Sequence, residues 1–213
     1  MIIARRSVLT ALAALAAPAL TSLALAPLAF APRSARAEAD DPRMAERGLG
    51  NADAKVVVQE WFSLTCSHCA EFQRSTFPQV KKNLIDTGRV RYVWRDYPLD
   101  QVALTAAMVS RALPPERYEP FITTLLATQD RWAFTRGVDS VAELAKLAAF
   151  AGMPRQTFDE TIGDAKLLQA ILTAQDEAEK VLKINSTPSF VMNGKLTAGA
   201  VGYPAFLQAV DAA

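Results

Sequence analysis

The sequence predicts an α/β fold with a substantial helical insertion, and three observations carry that reading. A β-prone run, a helical pattern and a second β-prone run follow one another between Lys55 and Arg95. A long helical stretch then runs from about Gln101 to Leu182, and "STPSFVMNGKLTAG" returns to strand and turn chemistry before a closing helix.

The elements can be taken in order. Arg5 and Arg6 precede an uncharged run from Val8 to Pro32, and Ala35 and Ala37 occupy the small-residue positions before a cleavage site, so residues 1–37 read as a secretory signal. The run is also long enough for an uncleaved anchor, but Pro18, Pro27 and the small-residue exit favour cleavage. The paired arginines half match a twin-arginine signal, which leaves the Sec and twin-arginine routes both open. Residues 38–54 are polar and punctuated by Gly and Pro, and read as a lead-in.

"KVVVQEWF" at Lys55–Phe62 reads as a central strand. The spacing of Phe72, Val80, Leu84 and Ile85 predicts a helix from Ser67 to about Ile85, kinked at Pro78 and stopped by Gly88. "RVRYVWR" at Arg89–Arg95 is the second strand of a right-handed βαβ unit. The helical stretch breaks at Pro114-Pro115, around Arg131–Gly137 and at Gly152-Met153-Pro154. Ser140 with Glu143 suggests a capping box for a helix whose apolar face is Val141, Leu144, Ala148 and Ala151, ended by Gly152. Ser189–Met192 reads as a strand, Asn193-Gly194 as a turn to a short partner, and a last helix starts near Pro204.

Charge excludes one class of function. Cleavage after Ala37 removes Arg5, Arg6, Arg33 and Arg36 and no acid, so 23 basic against 22 acidic residues become 19 against 22. A mature chain near −3 gives no electrostatic reason to bind nucleic acid. Its length, about 176 residues, suffices for a core without staples.

Both cysteines and the only histidine then fall in Cys66-Ser67-His68-Cys69, where a strand ends and a helix begins. Unpaired N–H groups at a helix N-terminus stabilise an anion, and thiolate is the nucleophilic form of cysteine. A partly cationic His68 would favour the Cys66 thiolate further. A purely structural bridge over so short a loop restrains the unfolded chain by only about 2 kcal/mol. A zinc site lacks a fourth ligand, since the chain has no other Cys or His. Covalent haem needs His after the second cysteine, where Ala70 stands. A redox-active dithiol is favoured over these and over a pair of unrelated buried thiols; no metal and no cofactor is called for.

Two distant features add to the pair. Alternation places Glu60 on the strand face of Val56, Val58 and Phe62, where burial would raise its pKa and let it exchange a proton with Cys69; the competing reading is an exposed strand end. Thr187-Pro188 precedes the later strand, where a cis bond would aim the Thr187 backbone outward to pair with an extended peptide.

"EWFSLTCSHCAEF", "WRDYPLD" at Trp94–Asp100 and "TPSFVMNG" at Thr187–Gly194 together resemble the DsbA-like thiol:disulfide oxidoreductases of the thioredoxin superfamily, from about residue 48 to the C-terminus. The resemblance implies a thioredoxin fold with an inserted helical domain: residues 55–100 and 183–213 form the thioredoxin-like part and 101–182 the insertion. It implies Cys66 as exposed nucleophile, Cys69 as buried partner, Glu60 as proton-handling acid, Pro188 as cis-proline and Thr187 as the substrate-pairing residue. Ser67 departs from the Pro-His dipeptide of the best-known oxidases, and that dipeptide tunes the potential. A basic partner for Glu60 is not identified, Arg91 and Arg95 being neighbours by register alone.

The function expected is a periplasmic oxidase that introduces disulfides into exported proteins with free cysteines, acts as a monomer, and is reoxidised by a DsbB-type membrane quinone-linked partner. A reductase or isomerase on the same fold is one alternative. A non-catalytic periplasmic binding module, with Trp61 and Trp132 at its surface, is another.

Overall fold

The computed structural model describes residues 41–213, so the expected signal at 1–37 lies outside the described residues. Five strands form one sheet: β1 (Arg47–Leu49), β2 (Val56–Phe62), β3 (Val90–Asp96), β4 (Ser189–Met192) and β5 (Lys195–Ala198), in the spatial order β1-β3-β2-β4-β5. β2 and β3 are parallel, and every other pairing is antiparallel. The sheet is thus mixed, with the βαβ unit at its centre and the hairpin of β4 and β5 at one edge.

β1 lies inside what the sequence suggests is only a lead-in. Three residues are too few to show alternation, and the strand exists because β3 supplies its hydrogen bonds, with Gly48 opposite Val93. A Cβ on Gly48 would come within 2.5 Å of the Tyr92 carbonyl oxygen, so the close approach of the two backbones requires glycine there.

The expected single helix after the cysteines is two. α1 (Ser67–Ser75) ends at Thr76, and α2 (Phe77–Val80) runs on through a wider turn at Lys81–Ile85. Pro78 sits in the first turn of α2, where a missing N–H costs nothing, so the proline marks a start rather than a kink.

Between β3 and β4 come α3 (Gln101–Ala112), α4 (Pro115–Ala127), α5 (Gln129–Trp132), α6 (Ser140–Phe150), α7 (Arg155–Ile162) and α8 (Ala165–Glu177), the last continuing through a wide turn to Leu182. The three expected breaks are present, with further ones at Thr128 and Gly163-Asp164. α6 is not capped by Ser140. Asp139, one residue earlier, accepts from the N–H groups of Val141 and Ala142 at 3.0 and 3.1 Å, while Glu143 pairs with Lys146. A carboxylate that reaches two N–H groups at the positive helix end is the stronger cap. On its apolar face Leu144 and Ala148 are buried, whereas Val141 is exposed. α9 (Tyr203–Asp211) closes the chain with Pro204 in its first turn.

One buried cluster joins Val58, Phe62, Tyr92 and Trp94 of the sheet to Phe72 of α1, Tyr118 and Phe121 of α4, and Phe206 of α9. Aromatic rings run through it in contact, Phe77 to Tyr92 at 5.1 Å, Tyr92 to Trp94 at 5.4 Å and Trp94 to Tyr118 at 6.2 Å between centroids. On the opposite face of the sheet Trp61, Tyr97, Ile184 and Val191 pack together. Trp61 and Trp132 are therefore core residues and offer no aromatic surface to a partner. A buried ion pair, Arg111 Nε to Asp96 Oδ2 at 2.6 Å, ties α3 to the end of β3, and Arg111 also donates to the Ala45 carbonyl at 3.0 Å. No described helix is long and apolar enough to cross a membrane.

Candidate active site

β2 ends at Phe62, and three residues carry the chain to Cys66, the N-cap of α1. The loop is held from several sides. The Cys66 N–H donates to the Ser63 carbonyl at 3.1 Å, and the Thr65 hydroxyl to Asp100 Oδ2 at 2.7 Å. Asp100 is itself the N-cap of α3, accepting from the Ala103 N–H at 2.8 Å. From α5, Gln129 Nε2 donates to the Leu64 and Cys66 carbonyls.

Both cysteines are free thiols. Cys66 keeps 7% of its surface and Cys69 none, so Cys66, expected as the exposed cysteine of the pair, is only slightly exposed. Cys66 Sγ accepts from the Cys69 N–H at 3.4 Å and, when protonated, donates to the Thr187 carbonyl at 3.3 Å. Interaction with the Cys69 side chain is the largest influence on Cys66; with the Thr187 hydroxyl and the backbone N–H groups of Cys69 and His68 it outweighs partial burial and pulls the pKa from 9.0 down to about 5. Cys69 goes the other way: burial, reinforced by the Cys66 sulfur and by Glu60, pushes its thiol well above the ordinary value. The two sulfurs of one motif are thus driven far apart in acidity.

His68 and Ser67 are exposed, and the backbone N–H of His68 is among the groups that lower the Cys66 pKa. The Thr187–Pro188 peptide bond is cis, and both residues are buried. The Thr187 carbonyl, expected to point outward for a peptide, is engaged by the Cys66 thiol.

Glu60 is buried, 1% exposed, on the face of Val58 and Phe62. Burial is the main cause that pushes its pKa from 4.5 up to about 7; a hydrogen bond from the Tyr92 hydroxyl at 2.7 Å and the nearby Trp94 indole oppose it. Its partner is therefore a phenol, not a base. Arg91 lies on the other face and pairs with Glu46 at 2.8 Å. Tyr92, Gln129, Thr65 and Asp100 were not singled out from sequence. Only Tyr92 carried a usable signal, because the alternation of "RVRYVWR" beside a parallel β2 puts it on the Glu60 face, and Val58 pairs with Tyr92 in the register. Among the described residues no cluster of His, Cys, Asp and Glu could hold a metal ion.

A mixed sheet whose central parallel pair is crossed by a helix that starts on a Cys-x-x-Cys pair, with a cis-proline turn against the first sulfur, defines a thioredoxin-type dithiol protein. Comparison with known proteins agrees. A family model described as thioredoxin matches residues 43–212. A provisionally named protein-disulfide oxidoreductase of Rickettsia prowazekii is 31% identical over 150 residues, 70% of this chain and 54% of that protein; the chain spans about half the length of the curated relatives it matches. The crystal structure of Wolbachia pipientis alpha-DsbA1 is 29% identical, superposes with a TM-score of 0.73, and covers 79% of this chain and 90% of its own. BdbD from Bacillus subtilis, at 22% identity and a TM-score of 0.70 over 78% of this chain and 91% of its own, shares the fold. The chain belongs to the thioredoxin family, in its DsbA-like branch.

Proposed function

We propose that the protein is a periplasmic thiol:disulfide oxidase that places disulfides in exported proteins, with Cys66 as nucleophile, Cys69 as its buried partner and Glu60 as proton carrier. The opposed acidities of the two sulfurs carry this reading. A stabilised Cys66 thiolate favours the reduced form, which makes the disulfide oxidising.

In the oxidised protein a substrate thiolate attacks Cys66 Sγ and breaks its bond to Cys69. Cys69 leaves as a thiolate in a buried site and takes a proton, which Glu60 holds when protonated. A second substrate thiolate attacks the substrate sulfur of the mixed disulfide and releases the Cys66 thiolate. Two electrons pass to the enzyme, and the substrate gains one disulfide. Thr187 and Pro188 form the wall against which the substrate segment lies, Ser67 and His68 set the potential, and 101–182 acts as an inserted helical domain on a thioredoxin-like part of 55–100 and 183–213. Export by the 1–37 signal, monomeric action and reoxidation by a DsbB-type membrane quinone-linked partner complete the reading.

The test is the reduction potential of the Cys66/Cys69 pair, equilibrated against glutathione. A value near that of DsbA, about −120 mV, supports the oxidase; one near thioredoxin, about −270 mV, sinks it in favour of a reductase.

A further inference from the structure

Gln129 lies in the short helix α5, distant in sequence from the cysteines, and nothing in the dithiol chemistry above uses it. Its side chain is buried, 4% exposed, and Nε2 donates to the Leu64 carbonyl at 2.8 Å and to the Cys66 carbonyl at 3.0 Å. A terminal amide nitrogen has two hydrogens. Both serve carbonyls two residues apart on the loop that carries the nucleophile, where little water competes. The helix that presents Gln129 is itself fixed, since Trp132 is buried and its Nε1 donates to the Leu125 carbonyl at 2.8 Å.

Cys66 holds the extended conformation of an N-cap, φ −82° and ψ 117°, and its carbonyl also accepts from the Ala70 N–H at 3.1 Å. The backbone torsions that direct this carbonyl also set where Sγ lies. The sulfur has to stay where the first free N–H groups of α1 point, as the Cys69 N–H does.

We propose that Gln129 is a positioning residue for the nucleophile: its amide clamps the Leu64 and Cys66 carbonyls and thereby holds Cys66 Sγ against the N–H groups at the start of α1. The proposal rests on Cys66 being the nucleophile. Thr65 and Asp100 brace the same loop from α3, but Gln129 reaches the carbonyl of Cys66 itself from the helical stretch between β3 and β4. Through it a side chain of that stretch bears on the reactivity of the cysteine.

The variants Gln129→Met, which keeps the length and loses the donors, and Gln129→Asn, which keeps the amide but is one methylene too short, test this. Thiolate absorbance of the full reduced protein is followed against pH, alongside the equilibrium with glutathione. The acid dissociation constant of Cys66 is expected to fall about fivefold in both variants, the factor equivalent to one net hydrogen bond, with the equilibrium moving towards the disulfide. An unchanged titration together with a lower unfolding temperature would mean that Gln129 only packs, and would overturn the proposal. A measurement on the wild-type protein guards against variants that fail to fold. The Gln129 side-chain amide protons should exchange slowly with solvent and shift with the same pH midpoint as Cys66; fast exchange, or no response to pH, overturns the clamp. The two readings fail separately. A wild-type Cys66 titrating at an ordinary thiol value sinks the nucleophile and the clamp with it, whereas a low value shared by wild type and variants sinks the clamp alone.

Discussion

At the scale of single residues, the dominant influence on Cys66 is its partner: the Cys69 side chain contributes more to the lowered pKa than any backbone N–H. Cys69→Ala should therefore raise the Cys66 midpoint from about 5 towards the ordinary thiol range, because the largest lowering influence is lost while the opposing burial stays. Thiolate absorbance against pH reads this directly, and a midpoint that does not move would contradict the hydrogen-bonded pair. Glu60 titrates in the opposite sense. Its folded pKa, about 7, lies above the unfolded value near 4.5, so its contribution to stability is full below pH 4.5 and is lost as pH rises through 7. In the oxidised protein, where the sulfurs do not titrate, Glu60→Gln should gain on the order of 1–3 kcal/mol over wild type at pH 8 and nothing at pH 4. Urea denaturation at the two pH values checks it; an equal change at both would place the effect in packing rather than in charge.

At the scale of elements, the Asp139 cap of α6 separates two local models of one helix. Asp139→Ala should cost about 1 kcal/mol, whereas Glu143→Ala, which removes only the exposed pair with Lys146, should cost no more than about 0.5 kcal/mol; the reverse order in denaturation midpoints would restore the Ser140 capping box. The helix itself was legible, and its cap was not, because Asp139-Ser140 offers two adjacent cap residues and the pattern does not rank them. The same limit explains the other differences. β2, β3 and β4 were legible as β-prone runs bounded by turn signals, but β1 has three residues and is a strand only through its partner β3. In the site, the cysteine pair, Glu60 and the Thr187-Pro188 turn were readable because spacing and alternation are local, whereas the cis state of that bond is not encoded in spacing and was implied only by the family resemblance. Tyr92 follows only once the parallel register is fixed, and the grip of Gln129 and Asp100 on the loop comes from helix packing, which no local pattern encodes.

At the scale of the whole molecule, the redox state of two sulfurs should be visible in the stability of the fold. The free energies of folding and of disulfide formation close a cycle, so a pair that is more oxidising folded than unfolded must make the reduced protein more stable than the oxidised one. The Cys66 thiolate is the group that does this. Its folded pKa of about 5 lies below the thiol value of 9.0, so its contribution is full above pH 9, declines as pH falls, and is gone once pH has passed below 5. Against it stands the restraint that the disulfide places on the unfolded chain, which for so short a loop is only about 2 kcal/mol and does not vary with pH. The buried Cys69 adds nothing of the opposite sign below its own raised pKa except above pH 9, where the unfolded thiol ionises and the folded one does not. Between pH 5 and 8 the thermal midpoint of the reduced protein should accordingly climb relative to that of the oxidised protein, and overtake it near neutrality. Melting both forms across that window decides the matter: a gap that is flat with pH would mean that Cys66 is not held as a thiolate, and an oxidised form that stays the more stable at pH 8 would make the pair a poor oxidant, whatever its family.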